Sequence, residues 1–182
     1  ATGGASQDVC KRCVAGKYQP STGKTSCIAC DKGKYSTEGS ASCKPCPPGR
    51  YNALKGAELC TACPSGKSLA TTGGDSSKDC INCIAGRYQG TEGQQDCVPC
   101  DPGTNTLNKA GLSSCVSCAS GRYANEYGSK ECSQCEVGKY QSRVGSVECV
   151  PCAPGQFTGV KGVSVCSKCS AGSFTSAEES TS

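Results

Sequence analysis

The sequence predicts a small disulfide-rich repeat protein: an elongated array of short β-hairpin and turn units with little or no helix. Cysteine supplies 20 of the 182 residues, large apolar side chains are scarce, and one short motif recurs along the chain. Cysteine at this density, above roughly 8–10%, is typical of a disulfide scaffold. With two Phe, seven Tyr and no Trp, Met or His, the chain cannot bury a large apolar core, so covalent crosslinks must hold it together.

The cysteines form ten C-x-x-C pairs, and successive pairs begin 17, 16, 17, 20, 17, 18, 17, 17 and 17 residues apart. Such a period is the signature of a repeat architecture, in which each unit packs mainly against its neighbours. We number the repeats as copies 1 to 10, with a lead-in at 1–9. The predicted boundaries are 10–26, 27–42, 43–59, 60–79, 80–96, 97–114, 115–131, 132–148 and 149–165 for nine complete copies, and 166–182 for a partial tenth.

A tight turn is predicted in every copy, because glycine stands three residues after the second cysteine in all ten. Proline precedes this glycine in Pro48-Gly49, Pro102-Gly103 and Pro154-Gly155, as in a type II turn that needs positive φ. We predict that glycine is obligatory there. The turn glycines are Gly16, Gly33, Gly49, Gly66, Gly86, Gly103, Gly121, Gly138, Gly155 and Gly172.

An aromatic residue follows two residues after the turn glycine in eight copies, and Ser68 and Asn105 replace it in the other two. A second glycine lies four residues before the next pair in eight of nine intervals. In the remaining interval, which is in copy 4, Gly73 and Gly74 lie further before the next cysteine pair and are followed by an insertion around Asp75. Short extended segments joined by turns fit this pattern. We expect the aromatics to stack as a structural ladder: Tyr18, Tyr35, Tyr51, Tyr88, Tyr123, Tyr140, Phe157 and Phe174.

The high density and even number of cysteines favour an oxidising compartment, so we expect the chain to be secreted or extracellular, at a cell surface or in a surface appendage. No stretch approaches the roughly 18–20 apolar residues of a membrane span. We expect any signal peptide or anchor to lie outside this stretch, because the start has neither a charged nor an apolar signal region.

Translational repetition narrows the disulfide pairing to two schemes. The favoured one joins the second cysteine of a pair to the first cysteine of the next, as in Cys13–Cys27, and leaves Cys10 and Cys169 for partners in flanking copies. The competing scheme pairs whole C-x-x-C units in parallel, with Cys10–Cys27 beside Cys13–Cys30. Both are compatible with the spacing alone.

The unit C-x-x-C-x-x-G-[K/R]-[Y/F]-x4-G-x3 resembles the ephrin-receptor-like cysteine-rich repeat, and the resemblance covers residues 10–174. Its C-x-x-G-x-Y segment is also similar to the first module of tumour necrosis factor receptor cysteine-rich domains. There, a cysteine just before Gly-x-Tyr bonds to the next cysteine along. That similarity implies Cys13–Cys27, Cys30–Cys43, Cys46–Cys60, Cys63–Cys80, Cys83–Cys97, Cys100–Cys115, Cys118–Cys132, Cys135–Cys149 and Cys152–Cys166.

Zinc is the main chemical alternative, because C-x-x-C-x13-C-x-x-C is close to zinc-ribbon spacing. Ribbons usually occur singly or in pairs, whereas here ten C-x-x-C pairs at nearly regular spacing would have to share or alternate their ligands. We therefore predict no metal site and no cofactor. Catalysis is not expected either, because the sequence has no His, nucleophile elbow, phosphate-binding loop or recurring carboxylate pair.

A cation follows the turn glycine in seven copies, at Lys17, Lys34, Arg50, Lys67, Arg87, Arg122 and Lys139. Stacked in register, they would form a stripe able to attract an anionic polysaccharide, although a solvated edge that blocks sheet-to-sheet aggregation is the simpler interpretation. We expect the net charge of +4 to be spread along the chain, too weakly and evenly for nucleic acid.

The uniformity of the copies favours a non-enzymatic structural protein that builds a surface filament, appendage or stalk. Its expected partners are other copies of itself or neighbouring repeats of a longer chain. The alternative is a receptor or adhesin ectodomain that binds a protein or an anionic glycan. The family resemblance implies an extracellular rod or adhesive array without specifying one ligand. In the alternative, the deviant copies at Ser68 and Asn105 are the first place to look.

Overall fold

The computed structural model describes residues 10–176, 180 and 181. Across these residues the chain forms nine two-stranded antiparallel hairpins, and the only helical element is a single 3₁₀ turn at Ser77–Asp79. Each hairpin pairs the two residues after a turn glycine with the x-x dipeptide of the next cysteine pair. The predicted fold class, a disulfide-rich array of hairpin and turn units with little helix, is confirmed.

The strands are two residues long and are numbered β1 to β18 in chain order. They are Lys17–Tyr18 and Ile28–Ala29 (β1, β2), Lys34–Tyr35 and Lys44–Pro45 (β3, β4), Arg50–Tyr51 and Thr61–Ala62 (β5, β6), Lys67–Ser68 and Ile81–Asn82 (β7, β8), Arg87–Tyr88 and Val98–Pro99 (β9, β10), Thr104–Asn105 and Val116–Ser117 (β11, β12), Arg122–Tyr123 and Ser133–Gln134 (β13, β14), Lys139–Tyr140 and Val150–Pro151 (β15, β16), and Gln156–Phe157 and Ser167–Lys168 (β17, β18).

The first hairpin shows how each one is closed. Lys17 lies opposite Ala29 and Tyr18 opposite Ile28. The backbone N–H of Cys30 donates to the carbonyl of Gly16 at 2.9 Å, extending the pairing by one step. Two-residue strands are too short to be stable alone. The hairpin therefore depends on the disulfide beside it and on contacts with other copies.

The chain divides into two compact units. The first comprises the described residues of Ala1–Pro64, Ser68–Ile81 and Glu92–Asp96, and the second comprises those of Ser65–Lys67, Asn82–Thr91 and Cys97–Ser182. Within each unit the same set of contacts recurs from copy to copy.

Disulfide sulfur takes the place of an ordinary apolar core. Within the described residues, every buried hydrophobic residue other than Leu69 and Ala124 is a cysteine. In the first unit, Leu69 packs with Cys63 and Cys80 against the half-buried Tyr51. The aliphatic side chains are instead largely exposed, so hydrophobic burial supplies a small part of the stability.

The insertion in copy 4 leaves the repeat intact. Gly73 lies seven residues after its turn glycine, Gly66, which is the commonest spacing in the other copies. Its N–H donates to the carbonyl of Cys46 at 2.7 Å, and second glycines elsewhere make the same bond to the preceding copy. The extra residues therefore follow the second glycine. They fold as the 3₁₀ turn, which is closed by a capping box between Ser76 and Asp79.

Candidate functional site

Disulfide bonds link the second cysteine of each pair to the first cysteine of the next. Nine such bonds join Cys13–Cys27, Cys30–Cys43, Cys46–Cys60, Cys63–Cys80, Cys83–Cys97, Cys100–Cys115, Cys118–Cys132, Cys135–Cys149 and Cys152–Cys166. Cys10 and Cys169 are free thiols. No three His, Cys, Asp or Glu side chains of the described residues converge as a set of metal ligands.

The turn glycines are required for two independent reasons, as Gly121 shows. Its φ of 78° lies in the left-handed region, which an L side chain rarely adopts. A Cβ atom there would also overlap the backbone carbonyl of Gly162, the second glycine two copies further along. The same overlap would occur at Gly16, Gly33, Gly49, Gly66, Gly86 and Gly103. Gly172 has the same kind of φ, 87°, but none of the described residues has an atom within 4 Å of its Cβ position.

A hydrogen-bond ladder runs between neighbouring copies inside each unit. In the first unit, the N–H of Gly16 donates to the carbonyl of Ser36 at 2.8 Å. In the second unit, the N–H of Gly121 donates to the carbonyl of Gln141 at 2.6 Å. The acceptor is the residue after the aromatic position, and we call these acceptors the ladder residues. They are buried from copy 2 to copy 9: Ser36, Asn52, Leu69, Gln89, Thr106, Ala124, Gln141 and Thr158.

Sequence reasoning missed the ladder residues, because they share a position and no chemical type. Most are polar, and each buried polar side chain needs a hydrogen-bond partner. Asn52 donates through Nδ2 to the carbonyl of Lys34 at 2.9 Å, and the Ser36 hydroxyl donates to the carbonyl of Lys17 at 3.0 Å. Within the described part of the chain, no buried side-chain nitrogen or oxygen lacks a partner. The only signal in the sequence was their fixed distance from the turn glycine.

The side chains of the predicted aromatic ladder are more exposed than those of the ladder residues, which accept the hydrogen bonds between copies. Seven of its eight members are half-buried, and the eighth, Phe174, is 87% exposed. In copy 6 the position is taken by Asn105, whose side chain is only 2% exposed. The aromatic ring is therefore replaceable at this position.

The cations after the turn glycine include a structural subset. Arg50, Arg87 and Arg122 each donate through Nη1 to the carbonyl of the cysteine ten residues further along, at 3.1, 2.8 and 3.0 Å. A guanidinium can reach this carbonyl from the strand and brace the hairpin. These three members of the predicted stripe are thus engaged with the protein itself.

Copy 6 departs most from the pattern and has a shallow groove of about 470 Å³ beside it. Asn105 donates through Nδ2 to the carbonyl of Val116 at 3.2 Å and to Sγ of Cys132 at 2.8 Å. Its Oδ1 accepts from the N–H of Leu107 at 2.6 Å. Asn105, Leu107, Ser117, Ala119, Arg122, Glu131 and Cys132 line the groove. The arrangement offers both polar and apolar atoms to solvent.

None of the described residues forms a helix long and apolar enough to cross a bilayer. The sequential disulfides, the two-residue hairpins and the ladder define a class: the disulfide-linked repeat array of extracellular proteins. Disulfides at this density are typical of oxidising, extracellular surroundings.

Comparison with known families makes the assignment specific. The family described as tyrosine-protein kinase ephrin type A/B receptor-like matches residues 33–80, 71–111, 103–148, 127–165 and 138–182. These matches extend over more than half of the chain, so the chain belongs to this family. A comparison with curated proteins finds no match. The family's repeats are non-catalytic structural modules, and they indicate an extracellular receptor-type module.

Proposed function

We propose that the chain is a non-enzymatic structural protein, a building block of an extracellular filament, appendage or stalk. The observation that carries the proposal is the ladder, which repeats between neighbouring copies in both units, with a backbone carbonyl as the acceptor at every step except the one from Gly86 to Thr106. A repeat that bonds to the next copy through its backbone can be extended without a change of sequence. We also propose the copy boundaries given by the cysteine spacing, with nine complete copies and a partial tenth after a lead-in; the lead-in at 1–9 lies outside the described residues.

The absence of an enzymatic function belongs to this proposal. Support comes from the chemistry of the motif: its recurring groups are half-cystines, turn glycines and backbone amides, which are already used in holding the fold. None of these supplies a nucleophile next to a base or a pair of carboxylates. The proposed partners are accordingly further copies of the same repeat, in this chain or in another.

Assembly of the secreted protein tests this function. Sedimentation velocity over a range of concentrations, followed by negative-stain electron microscopy, should show particles that grow in one dimension at constant width. A chain that stays monomeric up to about 100 µM, where even weak specific contacts are populated, would contradict a self-assembling building block. The free thiols should be alkylated in a parallel sample, so that assembly by the fold is separated from random oxidation.

A receptor or adhesin ectodomain is the second candidate function, favoured by the groove beside Asn105. Regular copies place an aromatic where copy 6 places a buried amide, so a partner could distinguish this copy from the others. In this case, charge reversal of Glu131 to Lys should abolish capture of a partner while the disulfide pattern stays unchanged. Capture that persists at full strength would exclude this groove as the binding site.

A further inference from the structure

The positive charge of the chain is concentrated at one end, so the expectation of an even spread is wrong. Residues 1–34 contain six cations and two acids, which gives a net charge of +4 for this stretch alone. Residues 35–182 contain 13 cations and 13 acids and are therefore neutral. The small net charge of the whole chain does not reveal this asymmetry, because residues 35–182 contribute no net charge.

The same end contains a groove of about 690 Å³ in the first unit. Four cationic side chains line it, at Lys11, Arg12, Lys17 and Lys24, and no acidic side chain of the described residues does. We call this the copy 1 groove. Like charges brought together around a concavity raise the local potential and attract an anion.

Within the described part of the chain, no ion pair neutralises these four cations. Asp31, the nearest acid along the described chain, forms an ion pair with Lys55, with Nζ and Oδ1 3.2 Å apart. The aliphatic stem of Arg12 lies beside Gly39, where a Cβ would be 3.5 Å from its Cδ. Packing of the stem directs where the guanidinium can lie, and this lowers the entropy lost when an anion binds.

Other copies lack this set of cations at the equivalent positions. Copy 2 has Ile28, Ala29, Lys34 and Ser40 there, with one cation in place of four. The fold of the repeat therefore does not require the charges, because the same hairpin and the same ladder form without them. Their presence in copy 1 alone is what a dedicated site would show.

We propose that the copy 1 groove binds a sulfated or carboxylated polysaccharide chain. Its volume is in the range of small-ligand sites, so it would hold a few sugar units of a longer chain. Besides the four cations it is lined by the polar residues Gln19, Thr25 and Ser26, which suit a ligand carrying hydroxyl groups. Since no aromatic side chain of the described residues lines it, a nucleic acid would find no platform for its bases. The inference relies on the proposed extracellular setting but not on self-assembly.

Binding of the whole chain to an immobilised heparin octasaccharide tests the proposal. A plot of log affinity against log salt concentration should fall with a slope near 3, because roughly 0.7–0.9 counterions are released per neutralised charge on a polyanion. The double variant Lys11→Gln/Lys24→Gln should bind at least about tenfold more weakly and lower the slope by about 1.5.

A matched control is Lys44→Gln/Lys109→Gln, which removes the same charge from exposed side chains outside the groove. This variant should bind as the parent does. Equal loss in both variants would show that only the total charge matters and would overturn the groove as a site. Binding to single-stranded DNA or to phosphatidylserine vesicles as tight as to heparin would overturn the polysaccharide as the ligand.

Hyaluronan and a neutral dextran of equal length complete the design. Tighter binding to heparin than to hyaluronan identifies sulfate as the preferred group, and equal binding identifies carboxylate as sufficient; both support the proposal. Binding to dextran at the same strength would contradict it. Sedimentation of the Lys11→Gln/Lys24→Gln variant shows separately whether self-assembly survives, so failure of this inference is distinguishable from failure of the structural function.

Discussion

Copies 6 and 8 occupy equivalent places in the array but complete the ladder with different atoms. In copy 8 the acceptor for Gly121 is the backbone carbonyl of Gln141, at 2.6 Å. In copy 6 the acceptor for Gly86 is the side-chain Oγ1 of Thr106, at 2.8 Å. Because a buried N–H left without a partner is costly, either acceptor is sufficient and the absence of both is not. The array thus specifies where an acceptor must be and leaves its chemistry open.

The difference has a cause in chain length. Gly103 and Gly111 are eight residues apart in copy 6, whereas Gly138 and Gly145 are seven apart in copy 8. The extra residue is accommodated at Leu107, with φ 51°, and at the residue after it, with φ 55°. Left-handed backbone is uncommon for non-glycine residues and costs of the order of 1 kcal/mol each. Copy 6 is therefore the more strained of the two.

Removal of a disulfide is expected to cause the largest change in the stability of copy 6 relative to copy 8. Cys118→Ala/Cys132→Ala should lower the local free energy of unfolding by about 3 kcal/mol, because a 14-residue loop is no longer closed. The buried Nδ2 of Asn105 would also lose its contact with Sγ of Cys132. The readout is native-state hydrogen exchange of amides in copies 6 and 7.

The control is Cys135→Ala/Cys149→Ala, which opens a loop of the same separation in copy 8. We expect its loss to be smaller by about 1 kcal/mol, since only in copy 6 does a buried amide, Nδ2 of Asn105, lose one of its two acceptors. Equal losses of unfolding free energy in the two variants would mean that the contact of Asn105 Nδ2 with Sγ of Cys132 contributes no stability.

Substitution of a turn glycine comes next in size. Gly121→Ala should destabilise its unit by roughly 2–3 kcal/mol, because positive φ and overlap with the Gly162 carbonyl act together. Gly172→Ala has the backbone strain without the overlap and should cost about 1 kcal/mol. Chemical denaturation under non-reducing conditions measures both. If the two variants were equally stable, the contact between alternate copies would be energetically irrelevant.

The ladder acceptor in copy 6 can be removed with one isosteric change. Thr106→Val should cost about 1–2 kcal/mol, because the N–H of Gly86 would lose its only acceptor in a buried site. Thr158→Val removes a hydroxyl bonded to Val160 but keeps the backbone acceptor for Gly138, so a loss below about 1 kcal/mol is expected. Native-state hydrogen exchange separates the two variants. The Gly86 amide should lose its protection in Thr106→Val, whereas the Gly138 amide should stay protected in Thr158→Val. A Gly86 amide that stays protected in Thr106→Val would show that the backbone carbonyl of Thr106 accepts its hydrogen bond.

Much of this architecture could be predicted from the sequence, because its strongest determinants are covalent or steric. Glycine marks a turn wherever φ must be positive, and regular cysteine spacing limits how the chain can be crosslinked. The ladder residues escaped prediction because all of them except Thr106 contribute a backbone carbonyl, which every residue type has. The grooves escaped it as well, because they depend on which side chains converge from different parts of a copy.

The smallest expected effect concerns the arginine brace. Arg122→Lys should cost about 0.5–1 kcal/mol, since an ammonium group lacks the planar reach that bonds Nη1 to the carbonyl of Cys132. The exposed Arg143→Lys should stay within about 0.5 kcal/mol of the parent. Copy 6 has Thr104 in place of the arginine and still forms its hairpin, so the repeat does not require the arginine brace in order to fold. Its removal should leave the hairpin β13–β14 formed, as monitored by amide exchange of Tyr123.

The pairing of the cysteines is the most direct test of the repeat array. Trypsin distinguishes sequential from parallel pairing because it cleaves between Cys10 and Cys13, at Lys11 and Arg12. After digestion without reduction, sequential pairing predicts that the peptide carrying Cys13 stays attached to the one carrying Cys27. The peptide carrying Cys10 should come away from both. Mass spectrometry that instead finds the Cys10 peptide bonded to the Cys27 peptide would establish parallel pairing and contradict the array described here.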